Sequence, residues 1–270
     1  MDNTARAEHP YLFAALEGGD AADWEALVAL DHGYFDLAER LYGYPDERRA
    51  LGEKERVLIE LALHAMVTQL DDAQVERTIR RAADLGATRD EVVCVLELVA
   101  VLGLHSSSVG IPVLHDELAS ADALSPLTPE QEDAKRRFET CGPRPRPVDA
   151  MYGAILHVDA EYFERFAAFI DVPWRDDVLD PRLKHLVSIA IDVACTHLYV
   201  EGIHRHVREA LALGVTGAEI LEVIQLASAT GLRTLKVGLP IAAAVFAERE
   251  RQVPASTSSV TQEGGQNGRT

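Results

Sequence analysis

Residues 31–112 and 159–240 lie over each other without a gap, at a fixed spacing of 128 residues, with 23 identities in 82 pairs. The matched positions include Tyr34/Tyr162, Phe35/Phe163, Thr68/Thr196, Gly86/Gly214, Thr88/Thr216, Glu91/Glu219, Gly103/Gly231, Gly110/Gly238 and Pro112/Pro240. An internal repeat of this length predicts two like halves packed about a pseudo-twofold axis. It also lets the halves be compared. Where both agree, the residue serves the fold; where a buried position differs in a polar residue, function becomes a candidate.

The punctuation inside each half is helical. Thr88-Arg89-Asp90-Glu91 and Thr216-Gly217-Ala218-Glu219 read as capping boxes. Gly86 and Gly214 stand where the preceding helix needs a left-handed stop. Thr128-Pro129 and Asp180-Pro181 open further helices. In the second half, helices are predicted near 159–170, 181–195, 200–213, 217–230 and 232–249. Pro112 and Pro240 kink the last helix of each half. Strand signals are absent, so the predicted fold is all-α, a tandem duplicated helical bundle. The expected domains are a first repeat over 9–127, a capped helix and Pro-rich linker (CGPRPRP, from Cys141) over 128–150, and a second, site-bearing repeat over 151–252. Residues 1–8 are expected to fray and 253–270 to form a disordered tail.

The net charge of −18 argues against nucleic acid or an anionic membrane as partner. No apolar run reads as membrane-spanning, and the N-terminus lacks the apolar stretch of a signal peptide. Cys94, Cys141 and Cys195 form no close pair, which fits a reduced, cytoplasmic protein acting on a small molecule.

In the 200–213 helix the apolar stripe is Ile203, Val207, Ala210 and Leu211. His206 lies on it, and His204 falls on the flank beside Arg208. The preceding helix, LKHLVSIAIDVAC, is apolar nearly all round and is interrupted by Asp192. A buried carboxylate must be paired, hydrogen-bonded or protonated. His64 holds the equivalent place in the first half, so a pseudo-dyad would allow the two to meet. His197 sits in a turn where the first half has Gln69; His105 stands opposite Arg233, and Ser108 opposite Lys236. These polar residues are divided between the halves, not duplicated, which suits one composite site at the junction. The competing readings are neutral variation in two solvent-lined grooves, and His206 as a hydrogen-bonded core residue.

The stretch HLYVEGIHRHVREALALGVTGAEILEVIQLAS resembles the helical core of the carboxymuconolactone decarboxylase-like family, which includes an alkylhydroperoxidase-D branch. The residues that carry the resemblance are His206, Ala210, Gly214, Thr216 and Glu219-Ile220. GLHSSSVGIPVLHDEL looks like the ending found in two-repeat members, so the likeness covers about 31–120 and 159–249. It implies a compact helical bundle, a homo-oligomer, and a pocket near the histidine. In the peroxidase branch a C-x-x-C pair precedes that histidine. Here Tyr199 and Gly202 hold those positions, which argues against thiol-based peroxide reduction. In the decarboxylase branch the histidine handles protons on a lactone acid, a role that carries over to His206.

The leading expectation is therefore a lyase needing no cofactor, which decarboxylates or opens a small cyclic or aromatic acid. His206 would be general acid/base with a near-neutral pKa, and His197 or Asp192 would orient it. His105, Arg233, Lys236 and Tyr199 would bind the substrate. The alternative is a metal-dependent oxygenase of aromatic rings. Fe(II) or another first-row metal would be held by nitrogens of His64, His105, His197 and His206, with oxygen from Asp192 or a modified Lys236. A second alternative is a non-enzymatic small-molecule binder.

Overall fold

A computed structural model of the chain describes residues 4–16, 28–141, 144–175 and 177–252. The tail expected at 253–270 and residues 1–3 lie outside these. Among the described residues the structure is helical and contains no strand. Helices Glu53–Ala65, Asp72–Asp84 and Arg89–Ala100 of the first half are matched by Pro181–Val193, Val200–Ala212 and Gly217–Ala229 of the second. Each pair starts 128 residues apart. The turns match as well: Gly86 and Gly214 have φ of 79° and 84°, and Leu70 and Leu198 have φ of 40° and 48°. Both capping boxes form. The Thr88 and Thr216 hydroxyls accept from the amides of Glu91 (3.1 Å) and Glu219 (3.2 Å), and each glutamate accepts from its threonine's amide.

Helix ends differ slightly from expectation. Pro181–Val193 stops two residues early, and Thr230–Leu232 is a separate 3₁₀ turn before Arg233–Gln252. Pro112 and Pro240 lie within helices His105–Ser120 and Arg233–Gln252. Thr4–Glu8 is helical where fraying was expected.

The chain divides into two compact units, and not at the predicted linker. Among the described residues, one unit lies within 42–231 and the other joins those before 42 with those from 232 to 252. In the second of these, the first amides of helix Pro10–Leu16 are capped from a distance: Glu39 accepts from Tyr11 (2.9 Å) and Leu12 (2.8 Å), while His9 bonds Asp36 at 2.8 Å.

In the 42–231 unit one apolar cluster draws on both halves, including Val57, Leu58 and Leu61 with Leu186, Ile189 and Ala190. Burying each such aliphatic chain contributes about 1.5–3 kcal/mol. At its centre runs Pro181–Val193, in which every residue from Leu183 to Asp192 is buried. That all-round apolar helix is what forces Asp192 into the interior. The equivalent residues Thr68 and Thr196 meet through their hydroxyls at 2.9 Å, as a twofold relation between the halves would require. Close by length and composition to membrane spans are two helical stretches, Arg89–Ser120 and Gly217–Arg249, which corrects the sequence reading that no run reaches that length. The first supplies Cys94, Val95, Leu98, Val99 and Leu102 to the core.

Candidate functional site

Helix Pro181–Val193 ends just after Asp192, and the chain reverses through a tight turn. The amides of His197 and Leu198 donate to the Ala194 carbonyl, and the Tyr199 amide donates to the Asp192 carbonyl at 2.9 Å. Leu198 takes a left-handed conformation, which costs roughly 1–2 kcal/mol. Leu70 does the same in the first half, so the turn belongs to the fold. Its consequence is local: His197 and Tyr199 are folded back beside the carboxylate.

His105 opens its own helix directly after the 3₁₀ turn Val101–Leu104 and reaches the same place from the first half. Its Nδ1 lies 2.5 Å from Nε2 of His197, with the two ring planes inclined by only 12°. The Asp192 Oδ1 atom stands 3.8 Å from that Nδ1 and 3.9 Å from that Nε2. Tyr199 closes the group, its ring centre 4.3 Å from that of His105. Asp192 is 1% exposed, and its Oδ1 has no hydrogen-bond partner. Burial pushes its carboxyl up to about 8, against the opposing pull of Arg205. Burial, with the charges of His197 and Arg205, pushes His105 down to about 4; burial also lowers His197 and raises Tyr199. At neutral pH the site thus holds a carboxylic acid beside two uncharged imidazoles.

Gly202 makes this arrangement possible. A Cβ there would lie 2.5 Å from Cδ1 of Tyr199, 2.9 Å from Cγ of Asp192, and closer still to Oδ2. The position that the peroxidase branch gives to its second cysteine is thus kept bare so that a carboxylate can fill it.

His206 is placed elsewhere. It is half-buried, with Nδ1 3.0 Å from Nδ1 of His185, and its ring is parallel to that of Trp174 at 6.1 Å. Arg144 lies over the Trp174 ring at 4.2 Å. Burial, followed by the charges of His185, Arg205, Arg144 and His105, lowers His206 to about 3, and burial with Arg144 lowers His185 to about 4. The near-neutral imidazole expected at 206 is therefore replaced by one that stays uncharged. His204 is exposed, as its flank position predicted.

The possible meeting of His64 with Asp192 is replaced by a bond within the first half. Thr78 donates to the Gln74 carbonyl at 2.7 Å, so its oxygen accepts from Nδ1 of His64 at 3.0 Å. Arg233 and Lys236 lie on Arg233–Gln252, in the other compact unit.

On Tyr199 opens a groove of about 870 Å³, walled by Val109, Pro112, Leu127, Val148, Met151 and Leu156; His105, His197 and Asp192 do not line it. Its polar lining includes Ser108, Lys135, Tyr199 and Arg205. Tyr199 belongs to both the groove and the imidazole group. Arg205 is only loosely held, 3.5 Å from Asp149. At the groove's other side His157 donates from Nε2 to the Ser125 carbonyl at 2.7 Å, so its Nδ1 accepts from Nε2 of His115 at 3.0 Å. Sequence reasoning missed Gly202, Arg205, His185 and the His115–His157 pair. Of these, only His185 carried a signal, as one of four polar residues, with Lys184, Ser188 and Asp192, in a helix buried nearly all round.

Comparison with known proteins agrees with this architecture. The profile of the carboxymuconolactone decarboxylase family matches residues 160–245. Among solved structures, the chain is similar to a candidate gamma-carboxymuconolactone decarboxylase subunit from Burkholderia xenovorans. The two are 36% identical with a TM-score of 0.77, and the match covers 92% of this chain and 99% of that one. No curated protein gave a match. By fold, by sequence and over nearly its whole length, the chain belongs to the carboxymuconolactone decarboxylase family.

Proposed function

We propose that the protein is a lyase that decarboxylates, or opens by proton transfer, a small cyclic acid or lactone of the carboxymuconolactone kind. One observation carries this reading. An imidazole from the first half, and an imidazole and a protonated carboxyl from the second, converge within 4 Å behind Tyr199, which lines an apolar groove that also carries a cation.

The ring of the substrate packs on Val148, Met151 and Pro112, and Arg205 holds its carboxylate. In decarboxylation the bond to the carboxyl carbon breaks and CO₂ leaves. The electron pair passes into the conjugated carbonyl system, and a carbon must then take up a proton. Asp192, kept protonated at neutral pH by burial, is the proton source. His105 and His197 return the proton through their N–H···N contact, and Tyr199, which packs on His105 and lines the groove, swings aside to let the proton reach the substrate. Relative to the sequence expectation, the acid–base role moves from His206 to Asp192, His197 and His105.

The test is CO₂ release and loss of ultraviolet absorbance with γ-carboxymuconolactone and a panel of small cyclic acids. His105→Gln, His197→Gln and Asp192→Asn should each lower kcat by about 10²–10⁴-fold. Arg205→Gln should raise KM with kcat nearly kept. Turnover that survives all three substitutions within a few-fold, or no turnover of any of these acids by the wild type, contradicts the reading.

A further inference from the structure

We propose that Nδ1 of His105, Nε2 of His197 and Oδ1 of Asp192 form a binding site for one divalent first-row metal ion. Their spacing fits one ion. The three atoms make a triangle with sides of 2.5, 3.8 and 3.9 Å. The circle through its corners has a radius of about 2.0 Å, so one point lies at that distance from all three donors. Metal–imidazole and metal–carboxylate bonds are roughly 2.0–2.2 Å long. Among the described residues these three are the group of histidine, cysteine and carboxylate side chains whose ligand atoms come together in this way.

A second observation is independent of that triangle. Asp192 Oδ1 is buried and has no hydrogen-bond partner, and it is the oxygen that faces both imidazoles. An orphaned buried carboxylate oxygen is costly, and a cation at the common point satisfies it. On binding the ion the two nitrogens open from 2.5 Å to roughly 3 Å, the spacing of neighbouring ligands whose bonds are about 2.0–2.2 Å long. The ring centres are 4.7 Å apart, which puts both nitrogens near the line joining the rings. Rotation about histidine χ2, a soft torsion, aims them at the ion.

Two imidazoles and one carboxylate suit iron, cobalt, nickel or zinc better than magnesium or calcium. Three protein ligands leave coordination positions open, the arrangement of a site that accepts water or a substrate oxygen. The ligand set differs from the one expected from sequence: His64 is engaged with Thr78, and His206 with His185.

The test uses the full chain, stripped with chelator and titrated with Co(II), read by the visible absorption of bound cobalt and by calorimetry. The expected result is one Co(II) per chain. Asp192→Asn and His197→Gln should weaken binding by more than about 100-fold, beyond the effect usual for outer-shell partners. His204→Ala should leave it unchanged. His105→Gln replaces Asp192→Asn if circular dichroism finds that variant unfolded. Absence of stoichiometric binding, or wild-type affinity in the ligand variants, overturns the site. A bound ion displaces the Asp192 proton and the proton between the imidazoles, so the metal-bound and acid–base forms are two states of one cluster; turnover by the stripped protein tests the acid–base reading, and the cobalt titration tests the site.

Discussion

Gly202→Ala isolates the contact on which the site is built. The added methyl would sit 2.5 Å from Cδ1 of Tyr199 and 2.9 Å from Cγ of Asp192, inside the range where one partner must move. Overpacking of this kind costs about 1–3 kcal/mol. Alanine in a helix interior returns about 1 kcal/mol over glycine. With two side chains closer than 3 Å the overpacking falls at the upper end of that range, so the net expectation is a destabilisation of about 2 kcal/mol, read as a lower urea midpoint by circular dichroism, with displacement of the Asp192 carboxyl and loss of turnover. The same substitution made on an Asp192→Ala background meets no carboxylate. There the loss should shrink to near zero, leaving only the Tyr199 contact and the helix gain. The difference between backgrounds is a coupling of roughly 1 kcal/mol or more, within the usual range for residues in contact. If Gly202→Ala is neutral, or equally costly with and without Asp192, the carboxylate does not lie against residue 202 and the site geometry is wrong.

Because Asp192 must be protonated to act as the acid, turnover should fall as pH rises through about 8, and a pH–rate profile of the wild type checks this. Stability should pass through a maximum near pH 6.5. From about pH 8 downward the folded chain binds a proton on Asp192 that the unfolded chain, with a carboxyl pKa near 3.9, does not bind until much lower pH, so stability rises. Below about 6.5 the unfolded chain protonates His105, His185 and His206, which the folded chain leaves neutral to about 3–4, so stability is lost again. Denaturation across pH 4–9 reads both limbs, and Asp192→Asn should abolish the upper one. Thr216→Ala should cost about 1 kcal/mol through the lost cap. Gly214→Val should cost about 1–3 kcal/mol because φ is +84°, both measurable by thermal melting.

The helical framework was legible because its signals are local. Thr88, Thr216, Gly86, Gly214, Pro129 and Pro181 each act within one turn of the chain, and the structure uses them as read. The comparison of halves also found three of the clustered residues, His105, Asp192 and His197, since each breaks the repeat at a buried or half-buried position. The same rule offered His64 and His206, which are bound to Thr78 and His185 instead. It would equally have offered Glu222, whose counterpart is Cys94. That carboxylate is structural: it accepts from the amides of Ala50 (2.7 Å) and Leu51 (3.0 Å) and lies 3.6 Å from Arg56. Polar asymmetry therefore marks where the halves differ, not what the difference does. Periodicity placed His206 inward but carried no information on which neighbour it would meet. Gly202 was invisible as a functional residue, because its role is an empty volume defined by a side chain ten residues away.

The convergence of His105 and His197 on Asp192 is most directly tested by long-range proton–nitrogen spectra of chelator-treated protein carrying ¹⁵N-labelled histidine. One ring N–H proton shared by the two imidazoles, far downfield and lost in His197→Gln, is expected, with His105 uncharged throughout pH 6–8 and His197 titrating below the usual imidazole range. Two independent rings that each titrate near 6.5, with no shared proton, would contradict it.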